Sequence, residues 1–382
     1  MNTCILVLAD GEQFRGTSFG FPPRTIDELD LSGLAPKSIG EVIFNTAMGG
    51  YHELITDPSY AGQLVAMTYP HMGNYGCDPA WSEIGPESEP RSGVKLAGLM
   101  CRSVYDGPVP EGRLTLHEFL TMHGTPGITG IDTRRLTLRL RDRGSCNGVL
   151  VRPTDGDALS PAEEQRIRAV LAEFPPMEGR NLIITVGSSA ETVVNEGGSP
   201  HIALLDCGSK ANIVRMLVAR GCRVTILPST AGSEAVERTG ANALFVSNGP
   251  GDPAVLDGQV ALIKESIGRR PVLGVCLGHQ LVAQALGART YKMTFGHHGV
   301  NHPVRDERTN RVFVTSQNHG FAVDEKTLPK GCDVWFRNAN DRTVEGLAMD
   351  ELNIRTTQFH PESAPGPYDS HWIYEAFLGS LS

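Results

Sequence analysis

The sequence predicts an α/β protein whose C-terminal part is a doubly wound, mostly parallel sheet, preceded by a separate, strand-rich α+β domain. From residue 201 onward, strand-like and helix-like segments alternate, and the strand segments are continuous apolar runs. That is the pattern of a parallel sheet covered on both faces. Before residue 150, short β-like runs are separated by Gly and Pro, and helical patterns are few. We therefore expect domains at 1–150 and 200–382, joined by a connecting segment at 151–199.

In the N-terminal domain, three apolar runs predict strands and two periodic stretches predict helices. The strand runs are CILVLAD (4–10), EVIFNTA (41–47) and QLVAMTYP (63–70). The helical stretches are LTLHEFLTMHG (114–124) and TRRLTLRLRDRG (133–144), and the second stops at a glycine.

The connecting segment contains one well-marked helix, SPAEEQRIRAVLAEF at 160–174. Ser160 is a good N-cap, Pro161 suits the first turn, and Glu163 completes a capping box. The stretch ETVVNEGGSP (191–200) then leads into the second domain.

The sequence predicts four strands, three helices and a group of added strands in the C-terminal domain. Strands are predicted at HIALLDCG (201–208), CRVTILP (222–228), ALFVS (243–247) and PVLGV (271–275), with helices at 212–221, 255–270 and 277–288. The segments at 311–324 and 343–362 predict the added strands.

Composition excludes several classes of function. The net charge is −9 and the sequence has no basic block, which argues against a nucleic-acid partner and against anionic membrane surfaces. No apolar stretch approaches the length of a membrane span. The eight cysteines include no CxxC pair, and the stretch MNTCILVLAD lacks the features of a signal peptide. We therefore expect a cytoplasmic protein with free thiols.

A lone thiol lies between two glycines where the fourth strand meets a helix. Gly274-Val275-Cys276-Leu277-Gly278 fits the elbow that presents a nucleophile above a sheet, because side chains two residues before and after it would clash. The helix N-terminus there favours a thiolate. The competing interpretation is a buried structural cysteine.

A thiol nucleophile needs a base, and the base needs an acceptor that orients it. His360 and Glu362 in FHPE follow a strand-like run, and in extended chain they would project to the same side. A surface histidine beside a solvated glutamate is the alternative for this pair alone.

Three further motifs carry polar groups. NGPGDP (248–253) could supply backbone N–H groups to an oxyanion hole with Leu277, and SQNHGF (316–321) could hold a polar substrate, although each could also be a plain turn. GHHGVNHP (296–303) offers three imidazoles without a nearby carboxylate or cysteine, so we interpret it as structural and expect no metal. DCGSK (206–210) lacks phosphate-loop spacing, and no ATP-binding motif occurs.

Taken together, GVCLGHQ, NGPGDP and the late HPE resemble the class I, triad-type glutamine amidotransferases. In that family a cysteine attacks the side-chain amide of glutamine, ammonia leaves, and water releases glutamate from a thioester. The resemblance implies that Cys276 is the nucleophile, His360 the base and Glu362 its partner. It also implies substrate contacts from a further set of residues: Gly249, Gly251, Leu277, Gln280, Asn318, Gly320 and Phe321.

Motifs in the N-terminal half narrow the resemblance from the class I glutamine amidotransferases to one family within them. GEVIFNTAMGGYHELITDPSYAGQLVAMTYPHMGNYG (40–76) and ITGIDTRRLTLRLRDRG (128–144), with QNHGFAVD and FGHHGVNHPV, resemble the small-subunit family of carbamoyl-phosphate synthase. This resemblance implies L-glutamine as substrate and a large-subunit partner that carries ATP and divalent metal and makes carbamoyl phosphate for arginine and pyrimidine biosynthesis. No cofactor is expected in this chain, and higher oligomers of the pair are left open.

One position departs from the family pattern. The family usually reads FNTSMTGY with a serine that contacts glutamine, whereas this chain has Ala47. Loss of one neutral hydrogen bond would weaken glutamine binding by about 0.5–1.5 kcal/mol. A stand-alone cysteine hydrolase and a non-catalytic interaction subunit are the two alternatives to a glutaminase.

Overall fold

The computed structural model describes residues 2–85 and 93–381. The chain forms two compact units, one from the described residues of Met1–Ser82 and Pro90–Arg180, the other from those of Glu83–Glu89 and Asn181–Ser382. Residues 151–180 thus belong to the first unit and 181–199 to the second. Every helix in the described part of the chain is too short or too polar to span a bilayer.

The first unit is built around a closed barrel. Its strands are β1 (Thr3–Leu8), β2 (Gln13–Gly20), β3 (Ile39–Asn45), β4 (Gln63–Met67), β5 (His71–Met72), β6 (Gly98–Met100), β7 (Ser103–Val104), β8 (Pro126–Thr129) and β9 (Cys146–Val151). Its helices are α1 (Tyr51–Thr56), α2 (Leu116–Met122), α3 (Thr133–Arg143) and α4 (Pro161–Glu173). The barrel order is β1-β2-β8-β6-β4-β3-β9, and β5 pairs with β7.

The apolar run of β1 is buried on both sides of the barrel wall. Leu6 packs in one core cluster with Leu140 of α3, and Ile5 packs in another with Ile167 of α4. The predicted start of α4 is confirmed, because Ser160 and Glu163 form the reciprocal capping box. This arrangement explains why β1 carries no alternating polar residues.

The second unit holds the remaining elements. Its strands are β10 (Thr192–Val194), β11 (His201–Asp206), β12 (Arg223–Pro228), β13 (Ala243–Val246), β14 (Val272–Val275), β15 (Thr290–Asp306), β16 (Val312–Val323), β17 (Asp333–Asn338), β18 (Val344–Met349) and β19 (Ile354–Thr357). Its helices are α5 (Ala211–Ala219), α6 (Ser233–Thr239), α7 (Asp257–Ser266), α8 (Leu277–Ala285) and α9 (Trp372–Gly379).

These strands form one sheet in the order β10-β12-β11-β13-β14-β19-β18-β17-β15-β16. The five from β12 to β19 are parallel, and the outer strands pair antiparallel. Helices α5 and α9 cover one face, and α6, α7 and α8 cover the other. The predicted doubly wound α/β fold is therefore confirmed, with an antiparallel extension from β18 onward.

The parallel strands bring their carboxyl ends to one edge of the sheet. Val275 of β14 lies opposite Thr357 of β19, so the residues that follow these two strands are neighbours. Ligands of open α/β sheets bind at this edge, where the site described next is located.

Candidate active site

Cys276 occupies a strained turn between β14 and α8. Its backbone has φ 55° and ψ −107°, a conformation that is uncommon for a residue with a side chain. Its N–H donates to the carbonyl of Thr357 at 2.8 Å, which fixes the turn to the neighbouring strand. The side chain is 2% exposed.

The two flanking glycines are required by close backbone contacts. A Cβ at Gly278 would lie 2.1 Å from the carbonyl oxygen of Val246, and one at Gly274 would lie 2.8 Å from the backbone of Gly278. Neither position has room for a methyl group, since backbone atoms cannot move aside as a flexible side chain can. The elbow therefore depends on both glycines, as the sequence predicts.

The His360 imidazole is buried and oriented by a carboxylate. Its Nδ1 lies 2.6 Å from Oε1 of Glu362, and its backbone N–H donates to the carbonyl of Ser316 at 2.9 Å. The His360–Glu362 contact was predicted from extended chain, but β19 ends at Thr357 and the two residues lie in a turn closed by Ser363. The turn, rather than strand alternation, places both groups on one side.

Charge stabilises the protonated form of this ring. Burial alone would lower the pKa of His360, but the Glu362 carboxylate and the neighbouring Cys276 outweigh it and raise the pKa to about 10. Among the described residues, the Nε2 nitrogen has no hydrogen-bond partner of normal geometry, although Cys276 is close enough to act on the ring. The thiol instead donates to the carbonyl of Asn318 at 3.5 Å. The arrangement can therefore exchange a proton between sulfur and imidazole after a small movement.

Lys210, which no sequence motif identified as a site residue, also contacts the Glu362 carboxylate. Lys210, 2% exposed, lies 3.3 Å from Oε1 of the fully buried Glu362. Its Nζ also donates to the carbonyls of Ser363 and Ala364. Burial raises the pKa of Glu362, but His360 and Lys210 together hold it below its ordinary value. Lys210 closely follows β11, and its place after a parallel strand is the signal that could have identified it.

The glycine-rich turn after β13 lies against the start of α8. A Cβ at Gly249 would approach the carbonyl of Cys207 to 2.1 Å and the side chain of Leu277 to 3.0 Å. Gly251 has φ 98° and bridges to Asn181. Leu277 is the first residue of α8, where backbone N–H groups have no intrahelical acceptor. The turn therefore lies against the side chain of the residue that begins α8.

The other predicted substrate contacts lie on or against β16. Gln280 donates through Nε2 to the carbonyl of Phe321 at 2.9 Å and to Oε1 of Gln358 at 3.0 Å. The ring of His298 donates through Nδ1 to Oδ1 of Asn318 at 2.9 Å. These bonds hold the strand beside the thiol with its amide groups fixed.

Two further positions complete the set predicted from sequence. The Lys292 ammonium lies close to Gly320, because a Cβ at this glycine would be 2.8 Å from Nζ. Ala47 belongs to the first unit, where it is 2% exposed and its N–H donates to Oδ1 of Asn45 at 2.7 Å.

Two family models match the two parts of this chain. The family model of the class-I glutamine amidotransferases matches residues 203–379. That of the carbamoyl-phosphate synthase small chain, CPSase domain, matches residues 6–150. The fold and the site define a protein with a class-I glutamine amidotransferase domain.

Curated relatives extend over nearly the whole chain. The carbamoyl phosphate synthase small chain of Methanopyrus kandleri is 41% identical, covering 93% of this chain and 96% of its own. Those of Thioalkalivibrio sulfidiphilus and Pseudomonas aeruginosa are 40% and 39% identical, covering 98% and 99% of this chain and 96% and 98% of their own. The chain belongs to the carbamoyl phosphate synthase small chain family.

Proposed function

We propose that the second unit hydrolyses L-glutamine to glutamate and ammonia with Cys276 as nucleophile, His360 as acid–base and Glu362 as the group that orients it. The observation that carries the proposal is the buried imidazole that contacts Glu362 at 2.6 Å through Nδ1 and interacts with Cys276. A protonated ring beside a sulfur atom is the arrangement that holds a cysteine nucleophile as thiolate.

In the first half-reaction, the Cys276 thiol proton is held by His360, and the thiolate sulfur forms a bond to the side-chain amide carbon of glutamine. The amide π electrons move to the oxygen, and backbone N–H groups at Leu277 and Gly249 would stabilise that oxyanion. Removal of one such donor costs about 3–4 kcal/mol of transition-state stabilisation where it has been measured. His360 then gives its proton to the nitrogen as the C–N bond breaks, so ammonia leaves neutral and a thioester remains.

In the second half-reaction, His360 takes a proton from water while the water oxygen attacks the thioester carbon. The C–S bond breaks, glutamate departs, and the proton returns to the sulfur–imidazole pair. The raised pKa of His360 suits the acid role, and the deprotonated ring suits the base role once its proton has left with ammonia.

The ammonia would be consumed by a partner. Relatives of this chain are named small chains, and we propose a large subunit that uses bicarbonate and two ATP to make carbamoyl phosphate, in a cytoplasmic heterodimer that serves arginine and pyrimidine biosynthesis. The absence of an ATP-binding motif in this sequence supports such a division of labour.

Replacement of Cys276 tests the proposal in the reconstituted complex. Cys276→Ser should abolish carbamoyl phosphate synthesis from glutamine and leave synthesis from ammonium unchanged. Cys332→Ser, which alters a half-buried thiol of the same unit, is the matched control and should keep both activities. Glutamine-dependent synthesis that survives Cys276→Ser would refute the nucleophile assignment.

A further inference from the structure

Three buried side chains that the proposed glutaminase does not use converge on one point of the second unit. They are His297 on β15, His319 on β16 and Glu345 on β18. One potential ligand atom from each lies within 4.8 Å of the other two. His297 and His319 face each other across the strand pair, and the three residues are 5%, 5% and 0% exposed.

One ring nitrogen of His319 is left with a free lone pair. Its Nδ1 lies 2.8 Å from the carbonyl oxygen of Phe321. Because a carbonyl can only accept, Nδ1 carries the proton, and the lone pair is left on Nε2. That Nε2 is buried, and no described residue forms a hydrogen bond with it. A buried polar atom without a partner is destabilising, and a ligand at this nitrogen would remove that penalty.

His297 is oriented in the same manner. Its Nε2 lies 2.8 Å from Oδ2 of Asp341, and its Nδ1 lies 3.3 Å from Oε1 of Glu345 without a hydrogen bond of normal geometry. A histidine that ligates a metal through one nitrogen usually donates the other N–H to a carboxylate or a carbonyl. His297 and His319 provide one example of each.

The carboxylate is fixed by amide donors. Gln317 donates to Oε2 of Glu345 at 2.8 Å, and Asn338 donates to Oε1 at 3.1 Å. These bonds hold the carboxylate beside the two imidazoles, and the lone pairs that remain can face a cation. Glu345 belongs to a strand later in the sequence than the histidine motif, so only the fold brings this carboxylate to the imidazoles.

We propose that His297, His319 and Glu345 bind one divalent cation of the Zn²⁺ class. Two imidazole nitrogens and one carboxylate form a ligand set that zinc prefers, whereas Mg²⁺ and Ca²⁺ prefer oxygen ligands. The fourth position would be taken by water or by His302, whose ring centroid lies 5.1 Å from that of His297. The site uses none of the groups proposed to act in glutamine hydrolysis, so it stands independently of that function.

The alternative to a bound metal ion is a proton on His297. Burial lowers the pKa of His297, but the hydrogen bond to Asp341 and the nearby Glu345 carboxylate outweigh it and raise the pKa to about 9. A protonated His297 between two carboxylates would then occupy the position of the metal. The two alternatives differ in metal content, which can be measured without an activity assay.

The test is metal analysis of the full, untagged chain. Protein from zinc-supplemented cultures is passed through a chelating column and analysed by inductively coupled plasma mass spectrometry. One equivalent of zinc per chain is expected. Apoprotein titrated with Co²⁺ should develop the intense visible bands of a tetrahedral site, which saturate at one equivalent and disappear when Zn²⁺ is added.

Variants assign the ligands. Glu345→Gln and His319→Gln should each weaken zinc binding by at least tenfold, and His371→Gln, which removes another imidazole of the same unit, should leave zinc binding unchanged. Substoichiometric metal together with no saturable Co²⁺ spectrum in the wild-type protein overturns the proposal in favour of the proton. Unchanged affinity in both ligand variants overturns it as well. If a variant fails to fold, the Co²⁺ titration of the wild-type protein still distinguishes a metal site from a protonated histidine.

Discussion

Lys210 and Glu362 form an ion pair with a nitrogen–oxygen distance of 3.3 Å, and their side chains are only 2% and 0% exposed. The same carboxylate contacts His360, so one buried anion serves two cations. Bringing these charges out of water is costly, and removal of one partner of a buried ion pair is destabilising by about 3–5 kcal/mol. Loss of Lys210 should therefore affect both the stability of the second unit and the orientation of the His360 imidazole, because the Glu362 carboxylate contacts both groups.

Lys210→Met tests this coupling. Loss of the ammonium should lower the free energy of unfolding by about 3–5 kcal/mol, measured by urea titration. The pKa of Glu362 should rise, because Lys210 is one of the charges that lower it. Glu362 would then be protonated at a higher pH, and the acid limb of glutamine hydrolysis should move upward. Lys264→Met, which removes an exposed lysine of α7, should change neither quantity.

Gly278→Ala tests the elbow. The new Cβ would meet the carbonyl oxygen of Val246 at 2.1 Å, so β13 and α8 must separate. Overpacking of this kind costs about 1–3 kcal/mol, and displacement of Cys276 should lower kcat more than it raises KM. Thermal unfolding and steady-state glutaminase kinetics measure the two effects.

Gly258→Ala is the matched control for that substitution. Gly258 lies in α7, and a Cβ added there would meet no atom within 4 Å, so alanine should be neutral or stabilise the helix by up to about 1 kcal/mol. Equal effects of the two substitutions on unfolding and on kcat would contradict a special role for the elbow glycine.

Local chemistry explains which features could be predicted from sequence. The sequence predicts the first residue of α4 correctly, because Ser160 and Glu163 form their reciprocal hydrogen bonds within one turn. The elbow glycines were predicted because the clash they avoid is local to one turn. The parallel core followed from apolar runs that have no polar alternation.

What escaped prediction depends on contacts between distant segments. Closure of the β1–β9 barrel requires pairings that no periodicity encodes. Lys210, which follows β11, contacts Glu362, which follows β19. Glu345 of β18 lies beside His297 of β15. A single sequence shows residue types and spacings along the chain, but it does not show which strand ends become neighbours. The roles of Cys276 and His360 stay predictions.

Glu83→Gln tests a pH dependence of stability. Burial raises the pKa of Glu83 from 4.5 to about 7, although Lys210 and Arg215 oppose the shift. The folded state thus binds this proton more tightly than the unfolded chain does, and stability should fall as pH rises from about 4.5 to 7, by about 1.4 kcal/mol for each unit of pKa shift.

The glutamine side chain cannot ionise, so the stability of Glu83→Gln relative to wild type should increase between acidic and mildly alkaline pH. Urea titrations across this range measure the difference. Glu265→Gln on the exposed face of α7 is the control and should show a constant difference. A constant difference for Glu83→Gln too would show that folding does not shift the pKa of Glu83.

Glu362→Gln separates orientation of the imidazole from its mere presence. The amide can still accept from Nδ1, but it carries no charge, and the pKa of His360, which Glu362 raises, should fall. The ring would then lose its proton at lower pH, so the alkaline limb of kcat/KM should move downward. A loss of kcat of about 10²–10⁴ is expected, since an acceptor that fixes the tautomer contributes on this scale in hydrolytic triads. Glu351→Gln, an exposed substitution just before β19, should leave the profile unchanged. A Glu362→Gln enzyme with the wild-type kcat and alkaline limb would mean that Cys276 and His360 act as a dyad and that the carboxylate serves only to neutralise Lys210.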